Sequence, residues 1–277
     1  MRIQMTQDMT FYCNFLMGSD TTGDGLTKFT AFKTPQYMRD YVYRNYDCNL
    51  FAVKFSYADC GVPYPGVIMA YELLGLGHDY GETHEAELDV NGNVAVLISD
   101  TGAGCFHAAH GAQPYIRNFG MVATNGACCV TSAYGSDTLA TIEHCVFYGA
   151  DGRNLMEAGP SGGRISVDSE CWVINQLTGN TPMANTLFHA TDGGVIVKQP
   201  AGRITFQGTV APKFAVATAA ATFAGRVDLN GQWAGGARGY RWHRAAGGML
   251  ITHGLNPDTY IPGDANGYSA DGTGFNA

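Results

Sequence analysis

Residues 78–89 (HDYGETHEAELD) carry a dense run of ionisable side chains: His78, Asp79, Glu82, His84, Glu85, Glu87 and Asp89. Imidazole and carboxylate groups ligate transition metals, and His78, His84 and Glu85 could supply a set. The H-E-x-x-H spacing that would put two imidazoles on one helix face is missing. The reading is therefore a solvated acidic loop, inserted into otherwise regular structure, with no metal. Asp20 and Asp24 in the segment Gly18–Gly25 (GSDTTGDG) are oxygen ligands beside glycine, but they do not follow the acid spacing of an EF-hand. Turn chemistry accounts for that segment: Asx side chains cap local backbone and glycine supplies positive φ.

Cleavage of a glycosidic bond needs one carboxylic acid and one ionised partner roughly 5–10 Å apart. Glu143 (beside His144), Asp168 and Glu170 are the carboxylates in repeated apolar segments, with Asp151 and Glu157 in the stretch between. Stacked coils would bring Glu143 near Asp168 or Glu170. Surface acids are common, so this alignment is unspecific, and we assign no catalytic residue. No G-x-S-x-G elbow occurs. Ser161-Gly162-Gly163 lacks the Lys and Ser/Thr of a phosphate loop, so no nucleotide or other cofactor is expected. The most aromatic and basic stretch holds Trp233, Arg238, Tyr240, Arg241 and Trp242, followed by His243 and Arg244. Aromatic faces stack on sugar rings and Arg donates to hydroxyls, but the same residue types also favour subunit interfaces. An interface is the preferred reading and glycan contact the other.

These groups sit in a chain of 277 residues with 37 glycines, 14% charged residues and 45% hydrophobic residues. That composition suits a folded, turn-rich domain and excludes disorder. A net charge of -8 argues against gripping nucleic acid or an anionic bilayer. No apolar run approaches the roughly 20 residues of a membrane span. The short apolar stretch Phe11–Met17 has no basic leader, so folding in the cytosol is expected. Cys13, Cys48, Cys60, Cys105, Cys128, Cys129, Cys145 and Cys171 are then read as thiols, buried where they lie in apolar runs.

The elements that must position these residues follow from periodicity. Residues 9–16 predict a strand. Thr34-Pro35 predicts a helix start, and Met38, Tyr41, Val42 and Tyr46 give a helix over 34–46 one apolar face, with Arg39, Asp40 and Arg44 opposite. Short alternating strands follow Gly163, Gly194, Gly202, Gly225 and Gly248, the last three 23 residues apart. The segments that begin at Ile116 and Ile142 are 26 apart. Strands of four to six residues at such a period, without long helices or a leucine-rich signature, predict an all-β solenoid. It is a right-handed parallel β-helix with an N-terminal capping helix, of about eight or nine coils and about 40 Å in length. The expected organisation is a strand, turn and capping helix over 1–49, the β-helix over 50–256, and a tail over 257–277. The tail is expected to pack on the β-helix or on a neighbouring chain.

The N-terminal succession of GSDTTGDG, Phe32-Lys33-Thr34-Pro35, Asn45-Tyr46-Asp47 and Tyr57-Ala58-Asp59-Cys60-Gly61 resembles the opening of phage β-helix proteins. Cys60 is extra to their pattern. Gly208-Thr209, Phe214, Gly225, Gly239-Tyr240-Arg241, Gly247-Gly248 and Tyr260-Ile261-Pro262-Gly263 resemble their last coils. The resemblance implies a pectate-lyase-like β-helix in a phage or phage-like particle, as a tail fibre, tailspike, head spike or decoration. It further implies a virion location and a homotrimer whose partners are capsid or tail proteins. Contact with host-surface polysaccharide is a candidate role, without membrane insertion. The competing expectation is a polysaccharide depolymerase, a hydrolase or lyase on the same fold.

Overall fold

The computed structural model describes residues 2–47, 51–58, 62–70, 82–87, 95–99, 104–148, 153–175, 181–208 and 210–270. The chain is a parallel β-helix. Successive coils stack their strands into three sheets, and every strand pair between coils is parallel; a separate two-stranded parallel sheet pairs Ile3–Gln4 with Tyr46–Asp47.

The first sheet has nine rungs: Met9–Cys13, Val53–Tyr57, Glu82–Ala86, Tyr115–Arg117, Leu139–Glu143, Arg164–Val167, Val195–Lys198, Arg226–Leu229 and Met249–Ile251. The second has seven: Tyr64–Pro65, Val96–Ser99, Gly120–Ala123, Val146–Tyr148, Cys171–Ile174, Arg203–Gln207 and Gln232–Ala234. The third has eight: Val67–Ala70, Phe106–Ala109, Val130–Ala133, Asn154–Ala158, Ala184–Ala190, Phe214–Thr222, Trp242–Ala245 and Tyr268–Ser269. At about 4.8 Å per rung the nine-stranded sheet spans roughly 40 Å. The first rung precedes the helix in sequence, so the β-helix begins at Met9 rather than near residue 50.

Stacking, rather than any single long element, makes the core. One inward column of the first sheet runs Phe11, Phe55, His84, Ile116, Ile142, Val167, Lys198 and Leu229. The register pairs Ile116 with Ile142, as their 26-residue spacing requires. The facing column of the third sheet runs Val67, Phe106, Val130, Met156, Phe188, Ala219 and Trp242. At the edge of the second sheet Cys145 stacks directly under Cys171. All six described cysteines are free and buried, and burial pushes the Cys171 thiol up to about 12.

The glycine spacing needs one correction. Gly163, Gly194, Gly225 and Gly248 form a true column at the corner before the first sheet. There a Cβ would lie 2.0–2.2 Å from a backbone carbonyl oxygen of the preceding coil. Gly202 is not in that column, because the strand it opens belongs to the second sheet. Its 23-residue distance from Gly225 therefore spans two different corners.

The helix runs Pro35–Asn45 and lies against the first coils. Thr34 stands at its N-cap, but its hydroxyl donates to Asp20 Oδ2 at 2.7 Å. Asp20 Oδ1 accepts from the amides of Lys33 and Thr34 at 2.8 and 3.1 Å. Asp20 therefore orders the entry to the helix, and Asp24 likewise accepts from Leu26 N and Thr30 Oγ1. Arg39, expected on the solvent face, is 2% exposed. It reaches into the β-helix because a carboxylate waits there: its Nε and Nη2 donate to Glu82 at 2.7 and 3.1 Å.

The expected solvated loop over 78–89 is overturned where it is described. Glu82–Ala86 is a rung of the first sheet, and Glu82, His84 and Ala86 point inward by simple alternation. Residues 78–81, 88 and 89 lie outside the described residues. His84 Nε2 bonds Glu82 Oε1 at 2.7 Å, and its Nδ1 meets Tyr57 OH at 2.5 Å. Tyr43 OH donates to Glu82 Oε2 at 3.1 Å. Burial opposes the Glu82 charge, but Arg39 and His84 hold its pKa well below the usual carboxylate range. Burial pushes the His84 pKa down. This buried network locks the capping helix to the solenoid.

The other end is closed by Asn256–Ile261. Pro257–Tyr260 is one helical turn capped by Asn256, Ile261 is buried, and Tyr260 OH donates to Gly231 O at 2.8 Å. Tyr268–Ser269 adds the last rung of the third sheet, so residues 257–270 pack on their own chain.

Candidate functional site

The outward face of the third sheet carries one uninterrupted column: Ile68, His107, Thr131, Glu157, His189, Ala220, His243 and Tyr268. In-register stacking sets such side chains about 4.8 Å apart, close enough for direct contact. His107 Nδ1 meets Thr131 Oγ1 at 2.5 Å. His243 packs its ring on Tyr268, 4.6 Å between centroids. Ala220 is the small member between two histidines. Its short side chain leaves a notch, and around it opens a groove of about 650 Å3.

Glu157, His189 and Thr222 lie in this groove on three successive rungs. Glu157 Oε2 is 3.3 Å from His189 Nδ1, and His189 Nε2 is 3.2 Å from Thr222 Oγ1. Asn154 Nδ2 donates to Glu157 Oε2, lies 3.3 Å from His189 Nδ1, and Asn154 Oδ1 accepts from Thr186 at 2.7 Å. Burial works against the Glu157 carboxylate, yet the His189 hydrogen bond and the Arg153 charge together hold its pKa below the ordinary value. Arg153, Asn185 and Asp192 complete the polar wall.

The corner between the third and first sheets repeats from coil to coil in the left-handed region, and Asp192 and Phe223 of it line the groove. His110, Tyr134, Ser161, Asp192 and Ala246 each have φ between +48° and +63° and are followed by glycine. The corner after Thr222 differs. Phe223 and Ala224 both have positive φ, +47° and +58°, so alanine stands where the neighbouring corners have glycine, and Phe223 is 62% exposed on the groove. Non-glycine residues held there cost of order 1–3 kcal/mol each.

The sequence-predicted residues fall elsewhere. Trp242 is in the inward column, 8% exposed, with Nε1 donating to Asp258 Oδ1 at 2.8 Å and Arg244 over its ring. Trp233 is half-buried in the C-terminal closure, parallel to Phe206 and beneath Lys198. Arg238 donates to Ala211 O, and Arg241 reaches Asn266. Tyr240 is exposed, its ring edge-on to Tyr268. The structure thus does not gather these five into one exposed patch. Its aromatic members mostly seal the end of the rod, because an open solenoid end needs large side chains to cover it.

Register sets two of the candidate acids on neighbouring rungs: Ile142 pairs with Val167, and Glu143 and Asp168 are the next residues of those two strands. Glu143 belongs to an outward column Glu85, Arg117, Glu143 and pairs with Arg117 at 2.7 Å. Glu170 meets Arg203 at 3.7 Å and Thr205 at 2.9 Å, and Asp168 accepts from Ser166. Among the described residues no group of three His, Cys, Asp or Glu could hold a metal, and no helix is long and apolar enough to cross a membrane.

Sequence reasoning passed over His107, His189 and Thr222, and weighed Glu157 only as a loop acid. Glu157, His189 and Thr222 are 32 and 33 residues apart along the chain, His107 lies 50 residues before Glu157, and the four form no local motif. The class defined by fold and site is a capped parallel β-helix with a polar groove on one sheet. No protein-family model, curated protein or solved structure matches the chain.

Proposed function

We propose that the chain is a structural protein of a phage or phage-like particle, in a fibre, tailspike, head spike or decoration, that meets host-surface glycan. The observation that carries this reading is the continuous core. Buried side chains form one cluster from Met5 to Ile261, closed by a helix at one end and by Trp233, Trp242 and Tyr260 at the other. Such a rod transmits load and presents a fixed surface. The resemblance of its N-terminal turn and helix entry to phage β-helix proteins supplies the setting. The groove on the third sheet, with Asn, Thr, Asp, Arg and His side chains beside exposed Phe223, suits a polyhydroxylated ligand.

In this reading the protein is a homotrimer and does not cut the polysaccharide backbone. Glu143 and Glu170 are engaged by Arg117 and Arg203, and Asp168 accepts from Ser166, so the carboxylates that cleavage would need are held in local ion pairs and hydrogen bonds. The test is mass in solution, followed by incubation with host capsule or lipopolysaccharide. A trimer that retains glycan without shortening it is expected. A single-chain mass near 30 kDa at micromolar concentration, or shortened glycan chains, would overturn the reading.

A further inference from the structure

We infer that Glu157, His189 and Thr222 form a base-activated hydroxyl that removes acyl groups from an O-acylated glycan lying in the groove. The acylated glycan as substrate rests on the proposed ligand class; the reactive hydroxyl does not.

The geometry carries the inference. A hydroxyl becomes a nucleophile when an imidazole accepts its proton and a carboxylate orients that imidazole through the other nitrogen. Thr222 Oγ1, His189 and Glu157 stand in that order, linked at 3.2 and 3.3 Å through the two ring nitrogens. Such distances are usual in an unliganded site. Asn154 and Thr186 fix the carboxylate from behind. All three groups line the groove and are largely shielded, with His189 and Glu157 side chains 18% and 14% exposed.

A second observation is independent of those bonds. Immediately after Thr222 the corner departs from the glycine-containing form of its neighbours and holds Phe223 and Ala224 at positive φ. The strain is carried by Phe223 and Ala224, not by Thr222, and the corner holds the Phe223 ring out on the groove beside the hydroxyl at the strand's end. The notch over Ala220, two residues back on the same face, gives a small acyl group room beside the hydroxyl.

The chemistry balances without a cofactor. Thr222 Oγ1 attacks the ester carbonyl and its proton passes to His189 Nε2. The carbonyl–alkoxide bond breaks and the sugar oxygen takes that proton. Water, deprotonated by His189, then attacks the acyl-threonine and releases the carboxylic acid and the free hydroxyl of Thr222. Arg153 Nε, 3.6 Å from Glu157 Oε2, backs the carboxylate end of this relay. The glycan chain stays intact throughout.

The experiment uses the full chain and three readouts. Phenylmethanesulfonyl fluoride should transfer its sulfonyl group to Thr222 with loss of hydrogen fluoride, which shows as the sulfonyl mass on the peptide carrying Thr222, and His189→Gln should abolish that labelling. Hydrolysis of p-nitrophenyl acetate should fall at least about 100-fold in Thr222→Val, a near-isosteric change expected to leave circular dichroism unaltered. O-acetylated polysaccharide should release acetate without becoming shorter. Absence of labelling at Thr222, or hydrolysis undiminished in a folded Thr222→Val, overturns the nucleophile. Labelling of Thr222 with no acetate released from the polysaccharide overturns the acylated glycan as substrate. Neither result bears on trimer mass or glycan retention.

Discussion

Replacing Arg39 with Met removes the cation that faces Glu82 inside the capped end. The pair is almost fully enclosed, with side chains 2% and 0% exposed, and is joined by two hydrogen bonds of 2.7 and 3.1 Å. Removing one partner of a buried pair costs about 3–5 kcal/mol, because the remaining charge is left in a low-dielectric interior. Tyr43 and His84 still contact Glu82, so a loss of about 3–4 kcal/mol is expected. In a chain of this size that lowers the melting temperature by roughly 6–12 °C. Arg39→Met combined with Glu82→Leu should recover most of the loss, since apolar residues of similar volume replace a buried ion pair at little cost. Guanidinium titration followed by circular dichroism measures both. If the single variant stays within about 1 kcal/mol of the parent, or the double variant is no better than the single, the pair is not what holds the helix on the solenoid.

The same network sets an acid response. Glu82 has a folded pKa below its unfolded value, so its contribution is present above about 4.5 and fades as pH falls below that. His84 is depressed too, so the unfolded chain gains its proton first and stability begins to fall below about 6.5. A stability profile that is flat between pH 7 and 4 would contradict the assignment. Lys198, pushed down by burial to about 8, binds its proton less tightly folded than unfolded. Stability of the parent should therefore rise between pH 8 and 10.5 relative to Lys198→Met, and parallel profiles would refute it. Gly194→Ala should cost more than Gly193→Ala. The first puts a Cβ 2.2 Å from Ala158 O, about 2–3 kcal/mol of overpacking. The second meets only the left-handed φ of +77° in open space, about 1 kcal/mol. The reverse order in thermal melts would sink that account. Cys13, Cys105, Cys128, Cys129, Cys145 and Cys171 should ignore a disulfide reagent at pH 8 until denaturant is added, and fast modification of any of these six in the native protein, located by peptide mass, would show the core to be open.

The sequence exposed this fold through its apolar columns and hid it where the columns turn polar. Ile116 and Ile142 announce one coil because both are β-branched and both face inward. His84 and Lys198 occupy the same column yet carry the wrong hydropathy, so alternation around them reads as loop or surface. Arg39 reads as outer-face for the same reason, since its partner is 43 residues away. The candidate site was the least legible part. Glu157, His189 and Thr222 owe their proximity to register between rungs, and register is invisible without knowing how many residues each corner consumes. Gly202 shows the converse, an apparent period that joins two unrelated corners.

The unequal coils have a consequence for how such a rod changes length. Successive rungs of the first sheet consume 31 residues from Val195 to Arg226 but 23 from Arg226 to Met249, while the register between them stays unbroken. Gly194 and Gly225 make the same close approach to the coil beneath, each with a Cβ position 2.2 Å from a carbonyl oxygen. Excising residues 195–225 would therefore join two equivalent points. Val227 would then rest on Ile165 and Leu229 on Val167, apolar on apolar, and the buried lysine would leave with the removed coil. The rod would shorten by one rung, about 4.8 Å, and would lose Ala220, Thr222 and Phe223 together. Length and groove chemistry are thus exchanged as one modular unit, so a whole coil can be gained or lost where a single residue cannot.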